Sequence, residues 1–229
     1  MINLDIKDVF FDLDHTLWDF DRNSKVTFEK IFSQNHPEVA IDDFIKHYVP
    51  NNQACWKLYQ YDKITHQQLR YDRLRLSFDA IGYAISDTEI DYISQEYIDL
   101  LTENNHLFEG TFEILDYLVE KYKLHVITNG FAHVQQKKLN NAKLSSYFST
   151  ITNSEMAGVK KPNPIIFEYA LNLAKAKKET SIMIGDSIEA DVLGALEAGI
   201  DAIYFNENKE AVDSNIKQIN HLLELKNYL

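Results

Sequence analysis

Asp12 and Asp14 close an apolar run, Val9-Phe10-Phe11, and Thr16 follows them in Asp12-Leu13-Asp14-His15-Thr16. Residues two apart on an extended chain point the same way, so both carboxylates face one crevice. Like charges that close require a cation or a shared proton. The plain alternative is a turn after a strand, where Asp, His and Thr are ordinary residues. Three further groups carry compatible chemistry. Thr128-Asn129-Gly130 offers a hydroxyl, an amide and backbone N–H groups ahead of a helix, a cradle for phosphate or simply a capped turn. Lys161, between Lys160 and Pro162, could set a cation on a phosphoryl group; a solvated basic turn competes with that reading. Gly185-Asp186-Ser187, with Asp191 beyond, supplies the hard oxygen ligands that suit Mg²⁺, or an N-cap and a surface acid.

These groups need elements to hold them. Short apolar runs at 9–11, 124–128, 181–184 and 202–205, with a weaker one at 150–152, read as strands. Helical spacing fills the intervals at 111–122, 132–142, 164–174, 188–198 and 216–225, the 132–142 helix with its basic and amide residues outward. Such alternation predicts a doubly wound, Rossmann-like parallel α/β sheet. Ligands of that architecture bind beyond the carboxyl ends of the strands, where the acids and Thr128 fall.

From 18 to 105 no strand pattern occurs. A helix is expected at 22–34, with Val26, Phe28, Ile31 and Phe32 in register, and another at 51–61, carrying Trp56, Leu58 and Tyr59. Capping boxes at Thr65/Gln68 and Ser86/Glu89 open two more, the first ending near Gly82 and the second burying Ile90, Ile93, Tyr97, Leu100 and Leu101. The expected organisation is a discontinuous core of 1–17 and 106–229 with a helical cap of 18–105 inserted after the first strand.

Composition narrows the function. A chain of 229 residues, 45% hydrophobic, can bury a substantial core. A formal net charge of −12 is a poor footprint for a nucleic-acid polymer binder, so an anionic substrate must meet local positive charge. The single cysteine, Cys55, rules out an internal disulfide and a multi-cysteine zinc site; it fits a reducing cytosol and reads as a small core residue. No run approaches membrane-span length, and Asp5 and Asp8 argue against a leader peptide. Neither a membrane nor a nucleic-acid polymer is expected as partner, and the expected localisation is cytoplasmic.

Taken together, the four groups resemble the motifs of the haloacid dehalogenase superfamily: Asp12-Leu13-Asp14-His15-Thr16 its DxDxT signature, Thr128 its second motif, Lys161 its third, and Gly185-Asp186 with Asp191 its fourth. The resemblance implies a mechanism. Asp12 attacks phosphorus and becomes an aspartyl phosphate. Asp14 protonates the leaving oxygen, then activates water. Mg²⁺ is held by Asp12, the Asp14 main-chain carbonyl and Asp186, with Asp191 orienting its waters. Thr16, Thr128, Asn129 and Gly130 bind the phosphoryl group, and Lys161 neutralises it. An acid at position 14 favours phosphate monoesters, since the dehalogenase branch lacks one there.

Asp-His-Thr-Leu-Trp-Asp-Phe-Asp, Ile-Thr-Asn-Gly-Phe with Gln135-Gln136 after it, and Gly158-Val-Lys-Lys-Pro-Asn are further similar to the bacterial pyrimidine 5′-nucleotidases, which clear non-standard nucleoside monophosphates. The small-molecule substrate so implied is a pyrimidine nucleoside monophosphate such as dUMP, dTMP or UMP, with the protein a monomer or homodimer. Trp18 and Phe20 are candidates for stacking on the base, or for filling a core; Trp56 and Tyr59 read more readily as core, and Phe131 lies beside the phosphate turn. Three readings compete: a phosphatase for another small ester, such as phosphoglycolate or a sugar phosphate, a phosphomutase, which also retains both acids, and a receiver-like phospho-acceptor without turnover.

Overall fold

The computed structural model describes residues 5–229 and divides into two compact units, one formed by residues up to Asp19 with Asn105–Leu229, the other by Phe20–Asn104.

The first unit is built on a parallel sheet. Its first strand, β1 (Asp8–Phe11), is buried along its whole length and paired on both edges, and after Asp8, which meets His125 Nε2 at 3.2 Å, it is apolar. The helical unit follows, with α1 (Phe20–Asn35), α2 (Ile41–Gln60), α3 (His66–Ala80) and α4 (Asp87–Leu101). The chain then returns through α5 (Thr111–Val119), β2 (Lys123–Thr128), α6 (Ala132–Asn141), β3 (Phe148–Asn153), α7 (Ser154–Ala157), α8 (Pro164–Ala174), β4 (Ser181–Gly185), a π-helical turn at Ile188–Leu193, α9 (Gly194–Glu197), β5 (Asp201–Phe205) and β6 (Gln218–Ile219). Among the described residues the sheet runs β3-β2-β1-β4-β5-β6. The chain leaves β1 toward β2 and β3 on one side and reaches β4 on the other, so the crevice at a topological switch point opens at the tip of β1. Phe11 pairs with Val126 and Ile184, and the Asp12 N–H donates to the Ile184 carbonyl at 2.9 Å. That register brings Asp12, Thr128 and Gly185-Asp186 out on adjacent strand ends. On one face Phe10, Ile127 and Met183 pack with Ile166, Phe167, Ala170 and Ala195 of α8 and α9.

Three expectations for this unit need correction. The helix at 216–225 is instead β6 followed by a 3₁₀ segment, Leu222–Asn227. The Ile219, Leu222 and Leu225 spacing is met by burial all the same, with Ile219 pairing with Phe205 at the sheet edge. The helix at 188–198 begins as a π-helical turn, in which the Val192 N–H reaches the Ser187 carbonyl at 3.1 Å. On α6 the amide and basic residues do not all face out: Gln135 and Lys138 are buried.

The helical unit is an aromatic cluster. Phe28 of α1 stacks on Tyr97 of α4 at 4.6 Å and meets Phe44 and Tyr48 of α2 at 5.0 and 4.7 Å. Both capping boxes form, Thr65 with Gln68 and Ser86 with Glu89. Helix α2 begins ten residues earlier than expected, passing through Pro50. Its buried face is Phe44, Tyr48, Asn52 and Cys55 rather than Trp56, Leu58 and Tyr59; Trp56 and Tyr59 are half-buried and Leu58 is exposed.

Candidate active site

The tip of β1 gathers buried charge. Lys161 reaches it from the loop before α8, and its Nζ donates to Asp12 Oδ1 at 2.5 Å, Asp191 Oδ1 at 2.6 Å and the Ile127 carbonyl at 2.8 Å. Asn129 sets that loop: its Oδ1 accepts from the Lys161 N–H at 2.7 Å and its Nδ2 donates to the Lys161 carbonyl at 3.0 Å. Asp191 is returned to the strand ends by the π-helical turn, where its Oδ2 accepts from the Ser187 N–H at 3.0 Å. Gly185 makes this approach possible, since a Cβ there would lie 2.2 Å from Asp191 Oδ2.

Three carboxylates against one ammonium leave an excess of buried negative charge. Burial holds Asp12 well above the usual carboxylate range despite Lys161, and Asp191 and Asp186 add to the rise. Burial and then Asp191 push Asp186 up to about 8. Burial alone would depress Lys161, but Asp12 and Asp191 outweigh it and raise its pKa above the ordinary lysine value. Oxygens of Asp12, Asp186 and Asp191 lie within 4.8 Å of one another. An all-oxygen, net-negative donor set of that size, with Asp12 and Asp191 buried and Asp186 half-buried, fits a hard divalent cation such as Mg²⁺.

Asp14 faces a different set of partners. It precedes His15 in a tight turn, where His15 adopts a left-handed φ of 62° and donates its N–H to the Trp18 carbonyl at 2.9 Å. Asp14 Oδ1 accepts from Lys138 Nζ at 2.6 Å, and Oδ2 accepts from Gln135 Nε2 at 2.8 Å. The same Gln135 amide donates to Thr128 Oγ1 at 2.7 Å. Gly130 lets Gln135 in, because a Cβ at Gly130 would lie 2.0 Å from Nε2.

Of the residues expected here, Asp12, Lys161, Asp186 and Asp191 converge, and Asp14 and Thr128 stand together through Gln135. Others have different partners from those expected. Thr16 is fully buried and its hydroxyl donates to Asp186 Oδ1 at 3.3 Å, so it steadies an acid rather than facing a phosphoryl group. The Asn129 side chain holds the Lys161 backbone, a contact that does not engage the Asn129 N–H expected at the phosphoryl oxygens. Asp191 has both oxygens committed, to Lys161 and to Ser187, and so anchors the lysine. Trp18 is buried, with Lys138 Nζ 4.1 Å from its ring centroid, so that face receives an ammonium and not a base. Phe20 belongs to the helical unit and is buried at the start of α1. Lys138 was not a sequence candidate at all; nothing in its local pattern separates it from a surface lysine.

Comparison with known proteins agrees with this geometry. Residues 9–205 match the family described as haloacid dehalogenase-like hydrolase. The chain is 33% identical over 202 residues to the pyrimidine 5′-nucleotidase PynA of Streptococcus pneumoniae, spanning 87% of this chain and 84% of that one. It is 31% identical to the pyrimidine 5′-nucleotidase YjjG of Escherichia coli over 86% and 85% of the two chains. The solved structure of the HAD-hydrolase YfnB of Bacillus subtilis, bound to magnesium, superposes with a TM-score of 0.87 at 27% identity over 98% of each chain. The chain belongs to the haloacid dehalogenase-like hydrolase family.

Proposed function

We propose that the protein is a Mg²⁺-dependent phosphoric monoester hydrolase acting through an aspartyl phosphate, and that its substrate is a pyrimidine nucleoside 5′-monophosphate. The observation that carries the chemistry is the pairing of a buried, lysine-held Asp12 with a second acid, Asp14, two residues on and separately tethered. Asp12 attacks phosphorus; as the P–O bond to the alcohol breaks, Asp14 delivers its proton to the leaving oxygen. Asp14 then takes a proton from the water that attacks the aspartyl phosphate, which releases inorganic phosphate and restores both acids. Lys161 spends all three ammonium N–H bonds on protein groups, so it acts by orienting Asp12 and by its charge, not by direct donation to phosphate. The Thr128 hydroxyl accepts from Gln135 and from the Gly130 N–H, which leaves its own proton for a phosphoryl oxygen. Asp12 and Asp186 would hold the cation, which supplies charge neutralisation for carboxylate and phosphate alike.

The nucleotide assignment rests on the likeness to PynA and YjjG along most of the chain. Base preference would reside in the helical unit, Phe20–Asn104. A phosphate-release panel with and without Mg²⁺ tests both levels. Turnover of dUMP, dTMP or UMP that is lost on chelation supports the proposal. Turnover of sugar phosphates or phosphoglycolate without the nucleotides would replace the substrate, and one phosphorylation without turnover would replace the enzyme.

A further inference from the structure

The Asp14 clamp lies outside the four motifs, and it carries an inference that rests on the phosphatase reading. We propose that Lys138, together with Gln135, is a positioning residue for the leaving-group acid. The two stand three apart on α6 and so share one face of the helix. Lys138 is 2% exposed. Burying a lysine is costly unless its charge is met, and here it is met twice, by Asp14 Oδ1 at 2.6 Å and by the Trp18 ring at 4.1 Å. Nothing in phosphate binding requires this second buried ammonium, because Lys161 already serves Asp12. Asp14 stands at ion-pair distance from it.

The geometry accounts for the arrangement. A carboxylate oxygen offers two lone-pair positions. Lys138 takes one on Oδ1 and Gln135 one on Oδ2, which fixes the plane of the group and leaves a position on each oxygen for the proton in transit. Lys138 itself gives up no proton: the proton that Asp14 delivers to the ester oxygen is recovered from water in the second step. The Gln135 amide, shared between Asp14 and Thr128, ties the acid to the residue beside the phosphoryl group. The bulk of Trp18 keeps the lysine from swinging away.

Esters differ in how much they need this acid. An alkyl phosphate leaves poorly unless protonated, whereas p-nitrophenyl phosphate leaves readily. For Lys138→Met, kcat on an alkyl phosphate should fall by about 10- to 100-fold and on p-nitrophenyl phosphate by no more than about threefold, with both KM values little changed. Lys138→Arg keeps the charge but shifts it and should show the same selectivity with a smaller loss; it carries the comparison if the methionine variant does not fold. Equal losses on the two esters, or no loss on either, in a protein whose parent hydrolyses both would overturn this inference alone. A parent inactive on every phosphate monoester with Mg²⁺ present would overturn the phosphatase reading and this inference with it.

Discussion

Asp12 and Lys161 form a buried pair whose worth is seen best by breaking it. In Asp12→Asn the amide cannot form an acyl phosphate, and kcat should fall by about 10⁴-fold or more. An Asn variant with near-parental kcat would show that another group attacks. Lys161→Met leaves Asp12 and Asp191 without their shared cation and should cost about 3–5 kcal/mol of stability in metal-free buffer. Denaturant titration measures it, and added Mg²⁺ should restore part of the loss; an unchanged midpoint would mean that the pair is not coupled to folding. The acids were legible as types at strand ends, and Lys161 as a cation in a loop before a helix. Their partners were not, because hydrogen bonds such as that from Lys138 to Asp14 join residues 124 positions apart and no local spacing encodes them. Thr16 is an example: a hydroxyl beyond a strand end carries no mark of a neighbour such as Asp186, to which it donates.

At the scale of the element, strands and capped helices could be read because their signals are local. Each capping box is a three-residue reciprocity, and both form. Helix α2 was expected only over 51–61, whereas the burial of Phe44 and Tyr48 against the aromatic cluster carries the helix from Ile41 through Pro50. The cost of an interior proline is still present. Pro50→Ala should therefore raise the stability of the chain by about 1–3 kcal/mol, read as a higher Tm. A lower Tm would show that packing around the proline's shape outweighs the missing N–H. The final segment failed in the opposite way: the apolar spacing of Ile219, Leu222 and Leu225 is helical, yet Ile219 pairs with β5 and is buried there.

At the scale of the whole molecule, one consequence of the sheet order is that β1, β2 and β4 deliver their acids and Thr128 to one end, at the expense of charge repulsion. Asp186 shows the cost: its pKa is about 8 in the fold against an ordinary 3.8. Between those values the folded chain holds a proton that the unfolded chain has released, so this residue's contribution to stability falls as pH rises through that window. Asp12 shifts in the same direction. In metal-free buffer, Asp186→Asn should therefore gain stability over the parent as pH rises from about 4 to about 8. Excess Mg²⁺ should favour the parent instead. Parallel stability profiles for the two proteins would contradict the electrostatic account.

The central claim is that Asp12 becomes covalently phosphorylated. Rapid quenching of the enzyme with a phosphate monoester and Mg²⁺, followed by borohydride reduction and peptide mass mapping, tests it at the residue. Reduction of an aspartyl phosphate should yield homoserine at position 12 and at no other acid. Homoserine elsewhere, or a phosphorylated histidine in place of it, would contradict the account.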